Sequence, residues 1–180
     1  MADGVDTSWL DEGEQRDWRA SVVGMTYLLA TLSRDLEVAT GLSMAEYEIL
    51  VRLSEAPDGS VRMSDLADGV AHSRSRVTHT VARLEGAGLV TRRPAAEDRR
   101  GIAATLTAVG RERLGAAAPA HVASVRARLV DVIDRDQLAQ LGEAMRAVLR
   151  EAALVDAPGE SPAPSCGDGA GPCTQEGLRD

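Results

Sequence analysis

The chemistry this chain can offer is concentrated in residues 73–100, SRSRVTHTVARLEGAGLVTRRPAAEDRR. There seven arginines meet only Glu85, Glu97 and Asp98, a local balance of +4 in a chain of net charge −8. A guanidinium stays charged and presents a planar fork of donors, which suits phosphate oxygens and the guanine edge. Val77, Val81 and Leu84 recur at spacings of four and three, the mark of one buried helical face. That phase turns Ser75, Arg76, His79, Ala82 and Arg83 outward, a set of hydroxyl, fork and imidazole groups able to contact base edges. Ser73 is the expected N-cap, and the positive end of the first turn suits a phosphate. Gly86 and Gly88 stop the helix, one of them supplying the left-handed residue that closes it.

Beyond that stop, Leu89, Val90 and Thr91 predict a strand running into Arg92, Arg93 and Pro94. A polar tip follows over residues 95–100. Ile102, Ala104 and Leu106 then alternate with Ala103 and Thr105 as a returning strand. A charged hairpin beside such a helix can follow a duplex while the helix enters the major groove.

Other chemistry is sparse. His72, His79 and His121 share no metal-ligand spacing with acids or thiols; His72 reads as a turn residue and His121 as a solvated helix residue. No phosphate loop, nucleophile elbow or paired catalytic carboxylates are visible, so neither an enzyme nor a cofactor is expected. Cys166 and Cys173 form a CGDGAGPC stretch that could close into a disulfide, or stay reduced and inert. All twenty basic residues are arginine. The composition, rich in alanine and glycine too, reads as codon bias of a GC-rich genome. The acidity lies at the ends: residues 1–17 carry a net −5 and residues 156–180 a net −4. Screening over about 10 Å lets the basic stretch act locally. No apolar run is long enough for a membrane span and no secretion leader is visible, so a cytoplasmic location is expected.

Several elements must position these residues. Trp18, Val22, Met25, Leu29, Leu32 and Leu36 make a heptad stripe on a helix over about residues 18–40, ended by Gly41. Ser43 and Glu46 form a capping box for a helix continued by Tyr47, Leu50 and Val51. Pro57-Asp58-Gly59 marks a turn, Val61-Arg62 a short third strand, and Ser64 the cap of a brief helix using Leu66, Ala67 and Val70. Thr107 caps a helix with the stripe Leu114, Ala118, Val122, Val125, Leu129 and Val132, which Pro119 should kink or divide. Asp134 or Asp136 starts a last helix with Leu138, Leu141, Met145, Val148, Ala152 and Val155 inward. Long apolar seams at both ends of one small chain call for a twofold dimer. The polar, acidic residues 156–180 predict a disordered tail.

The run LADGVAHSRSRVTHTVARLEGAGLVTRRPAAEDRRGIAATLTAVG resembles the winged helix-turn-helix core of MarR-type transcriptional regulators. The matching pieces are Leu66-Ala67, Ser73-Arg74-Ser75, Val77-Thr78, Arg83-Leu84-Glu85, Gly88-Leu89-Val90 and Arg92-Arg93. The wing signature is Asp98, Arg100, Leu106-Thr107 and Gly110. With flanking helices the similarity covers roughly residues 9–154. The implied architecture is mainly α with a small β-wing: an acidic segment 1–17, a winged helix-turn-helix domain 18–155 and the tail. Within the domain, dimerisation helices of about 18–40 and 108–155 flank a DNA-binding core of about 43–107.

The resemblance implies a homodimer on a palindromic operator in double-stranded DNA. Ser75, Arg76, Thr78 and His79 would meet base edges, and Ser73, Arg74, Arg83, Arg92 and Arg93 the backbone. Arg100 matches the minor-groove arginine of the family and Asp98 the acid that holds it; Arg99 is an additional cation. The small Ala95-Ala96 tip departs from the pattern and implies a short, weakly discriminating wing. The expected function is a dimeric sequence-specific transcriptional regulator, a repressor released by a small-molecule effector. Trp18, Met25, Tyr27 and Tyr47 are conceivable pocket liners that fit equally as core. The alternatives are a protein-interaction module using the winged helix to hold an acidic partner, and a redox-responsive regulator using the tail cysteines.

Overall fold

A computed structural model describes residues 8–69, 73–95 and 101–151. The elements run α1 (Glu12–Thr40), α2 (Met44–Glu55), β1 (Ser60–Arg62), α3 (Met63–Gly69), α4 (Arg74–Gly86), β2 (Val90–Pro94), β3 (Ile102–Leu106), α5 (Ala108–Val125), a π-helical turn (Arg126–Val130) and α6 (Arg135–Glu151).

Local chemistry sets most boundaries. The Ser43–Glu46 capping box opens α2 as expected, and the Thr107 hydroxyl accepts the Gly110 amide at 3.0 Å to open α5. Asp134, rather than Asp136, takes the cap of α6, exchanging bonds with Gln137. Gly41 closes α1 at φ 72°, a left-handed conformation costly for a side-chain-bearing residue. A box formed by Asp11 and Glu14 starts α1 at Glu12, earlier than the apolar stripe suggests, because the cap satisfies amides that would otherwise fray. Ser64 is no cap: β1 runs straight into α3 at Met63, and the Ser64 hydroxyl donates to Asp65.

The sheet is antiparallel with order β1-β3-β2; Val61 lies opposite Ala104 and Arg92 opposite Ala104 from the other side. The predicted third strand is therefore present. Hairpin pairing extends to the Ala95 amide, which donates to the Gly101 carbonyl at 2.8 Å. Ala95 is buried and continues the ladder beyond the Pro94–Ile102 pair, so it does not belong to the polar tip.

Beneath the sheet, Leu50, Leu53, Leu66, Val77, Val81, Leu84, Val90 and Ala104 form one core with Leu36 and Ala117. Each fully buried leucine or valine contributes about 1.5–3 kcal/mol of transfer free energy. The buried line of α5 is Gly110, Ala117 and Ser124, with Leu114 and His121 half-buried between them. This differs from the valine stripe expected: Val122 and Val132 are exposed. Small residues win because α5 approaches its neighbours too closely for large ones. A Cβ on Gly110 would lie 2.1 Å from the Leu89 carbonyl oxygen. Nor does Pro119 divide α5, which runs through it; the irregularity falls later, in the π turn. There Asp35 of α1 accepts from Ser124 at 2.8 Å and from Arg128 at 3.2 Å. The serine hydroxyl, then Arg128, holds the Asp35 carboxyl below its usual pKa against a smaller opposing effect of desolvation.

Two apolar surfaces stay uncovered. Only Thr31, Leu32 and Leu36 of α1 are buried, whereas Trp18, Val23, Tyr27 and Leu29 face outward. Among its described residues α6 buries none, and Val148 is exposed.

Candidate nucleic-acid interface

The helix expected to read DNA is α4. Ser73 accepts the Arg76 amide at 3.3 Å, the expected cap. Val77, Thr80, Val81 and Leu84 face the core, so Ser75, Arg76, Thr78, His79, Ala82 and Arg83 face out, as do Ser73 and Arg74. At the far end Gly88 adopts φ 73° and the Leu89 amide reaches back to the Leu84 carbonyl at 2.9 Å. That closure satisfies an orphan carbonyl and turns the chain directly into β2. The left-handed residue is thus Gly88, not Gly86.

Arg92 and Arg83, both expected to serve the backbone, are engaged by acids. Glu85 takes the Arg92 side chain at 2.8 Å and its amide at 3.2 Å, tying the start of the wing to the end of α4. The Arg92 hydrogen bonds hold the Glu85 carboxyl below its usual pKa. Glu46 of α2 takes Arg83 at 3.0 Å. Arg93 is exposed on β2. The Thr78 hydroxyl donates to the Arg74 carbonyl at 2.9 Å, leaving its oxygen free to accept. Asp98, Arg99 and Arg100, with His72 and both cysteines, lie outside the described residues.

Beside this face is a cleft of about 500 Å³ between the first turn of α2 and α4, bordered by Ser43, Met44, Ser73, Arg76, His79 and Arg83. The sequence pattern did not indicate it, since it depends on how two helices cross. None of Trp18, Met25, Tyr27 and Tyr47 lines it. Tyr47 is buried, with its hydroxyl pKa raised by that burial, while Trp18 and Tyr27 are exposed.

His121 is half-buried and not solvated as expected. Its ring lies 4.7 Å from that of Tyr47, its Nδ1 is buried, and burial lowers its pKa while Glu48 partly opposes this. Among the described residues no group of three potential metal ligands gathers, and no helix is long and apolar enough to cross a membrane.

A family model described as MarR family matches residues 40–101. AbsC, a MarR family transcriptional regulator from Streptomyces coelicolor, is 40% identical, with 82% of this chain and 99% of that one covered at TM-score 0.76. Sco3205, a MarR family transcriptional regulator from the same organism whose structure is a complex with DNA, is 38% identical, covering 82% and 92% at TM-score 0.78. The HTH-type transcriptional repressor YetL of Bacillus subtilis (strain 168) is 30% identical over 97 residues, 54% of this chain; the match spans 58% of that repressor. With the outward α4, the paired wing strands and a match over almost the whole of a MarR regulator, this chain belongs to the MarR family of transcriptional regulators.

Proposed function

We propose that the protein is a dimeric, sequence-specific DNA-binding regulator that acts as a repressor and is released by a small-molecule effector. The observation that carries the DNA reading is the outward face of α4, where Ser75, Arg76, Thr78 and His79 stand exposed with nothing apolar among them. Base-edge contact falls to these four, and backbone contact to Ser73, Arg74, Arg83, Arg92 and Arg93. Asp98, Arg99 and Arg100 complete the interface in the wing. The complex of Sco3205 with DNA supports this use of the fold, and the repressor YetL supports repression as its output.

Twofold pairing is supported by the uncovered faces of α1 and α6, since helices this apolar need a partner and a second copy supplies the same surface. Pairing also places two recognition helices on one duplex. The test is duplex binding by the intact chain over a salt series, followed by footprinting. The expectation is steep weakening with salt and two protected half-sites about 10 bp apart. Salt-independent binding, or protection of a single unrepeated site, defeats the proposal.

A further inference from the structure

Arg83 stands where the recognition helix meets the first turn of α2, and Glu46 determines how it is held. The Glu46 side chain is only 9% exposed, whereas that of Arg83 is 69% exposed. Oε2 of Glu46 accepts the Ser43 amide at 2.9 Å and the Ser43 hydroxyl at 2.8 Å, leaving Oε1 for one terminal nitrogen of Arg83 at 3.0 Å. A carboxylate locked in this way fixes the direction of the guanidinium while occupying few of its five donors. The fork borders the cleft described above, together with Arg76, His79 and the first helical residue of α2, Met44. No described residue lining that cleft is acidic. Ser75, Arg76, His79 and Arg83 of the exposed face of α4 line it, so a groove entered by that face would bring a flanking sugar-phosphate strand beside it.

We propose that the cleft seats a backbone phosphate of the duplex, that Arg83 is its main ligand, and that Glu46 is a positioning residue which aims Arg83. The assignment rests on the DNA-binding reading and deepens it, bringing α2 into the interface. Charge alone predicts the opposite sign for Glu46: removing a negative group near DNA should strengthen binding. Aiming predicts weakening, because the freed arginine must be ordered again in the complex.

The experiment compares the full-length parent, Arg83→Gln, Glu46→Gln and the double variant on a random-sequence duplex by fluorescence anisotropy over a salt series. Glutamine at 46 retains the capping box, so the fold is kept, and thermal unfolding checks each variant. Arg83→Gln is expected to make the log–log salt slope shallower by about 0.9 for each protomer engaged. Glu46→Gln is expected to weaken binding by roughly two- to tenfold. The double variant should bind no more weakly than Arg83→Gln, because Glu46 acts through Arg83. An unchanged slope in Arg83→Gln, tighter binding by Glu46→Gln, or full additivity in the double variant overturns the assignment. Displacement of the duplex by inorganic phosphate at fixed ionic strength, from the parent but not from Arg83→Gln, is the competition expected of a phosphate seat at Arg83 and supports the assignment. Should Arg83→Gln not fold, the sign of the Glu46→Gln effect decides alone. A parent without salt-dependent binding fails the DNA reading itself and this seat with it; a salt-dependent parent with an unaltered Arg83→Gln slope fails the seat only.

Discussion

Gly110→Ala tests the packing that joins the wing to α5. A methyl group at this position would lie 2.1 Å from the Leu89 carbonyl oxygen and 2.8 Å from Leu106 Cδ1. The leucine tip can rotate, but the carbonyl cannot: it belongs to the segment entering β2 and accepts both the Thr107 amide and the Thr107 hydroxyl. Relief therefore requires α5 to move off the sheet, and overpacking of this kind costs about 1–3 kcal/mol. The better helix propensity of alanine offsets at most about 1 kcal/mol. Gly115→Ala is the internal control, since a Cβ there meets nothing within 4 Å and should stabilise by up to about 1 kcal/mol. Thermal unfolding followed by circular dichroism should place Gly110→Ala below the parent by a few degrees, at roughly 2–4 °C per kcal/mol, and Gly115→Ala at or above it. A Gly110→Ala protein at least as stable as the parent refutes the reasoning, because the close approach would then be unnecessary.

His79→Ala should change which sequences are selected from a randomised duplex pool more than it changes affinity for random DNA; an unaltered selected motif removes His79 from base reading. Leu29→Glu, at a position 65% exposed in the single chain, should shift the proposed dimer towards monomer in sedimentation velocity with its helix content intact, and an unchanged sedimentation coefficient would remove this face of α1 from the proposed pairing. Asp35 has a lowered folded-state pKa, so the stability it contributes is present above its unfolded value and is lost as the pH falls through the folded one. Asp35→Asn should therefore flatten the acid limb of the stability–pH curve, and an acid limb identical to that of the parent would separate Asp35 from acid unfolding.

The parts of this protein legible in its sequence are those that depend on neighbours a few positions away. Ser43 with Glu46, Ser73 and Thr107 each accept an amide three residues ahead, so residue type and spacing place those helix starts; Asp134 does the same, but spacing alone left it level with Asp136 and wrongly offered Ser64 as a cap. The same holds for Gly41 as the stop of α1, and for the alternation of Val77, Val81 and Leu84 with an exposed polar face, whereas the choice of Gly88 over Gly86 as the left-handed residue came from the structure. The box of Asp11 and Glu14 carried the same local signal, but the apolar stripe starting at Trp18 drew the boundary away from it. What only the tertiary structure decided lies between elements: the grip of Glu46 on Arg83 and of Glu85 on Arg92, the bonds of Asp35 to Ser124 and Arg128, and the ring of His121 against Tyr47. The buried line of α5 belongs here as well, because hydrophobic period assumes that large side chains point inward, whereas close helix approach selects glycine, alanine and serine. How near two helices come, and at what angle, depends on the whole packed core, and no local spacing of residues encodes it.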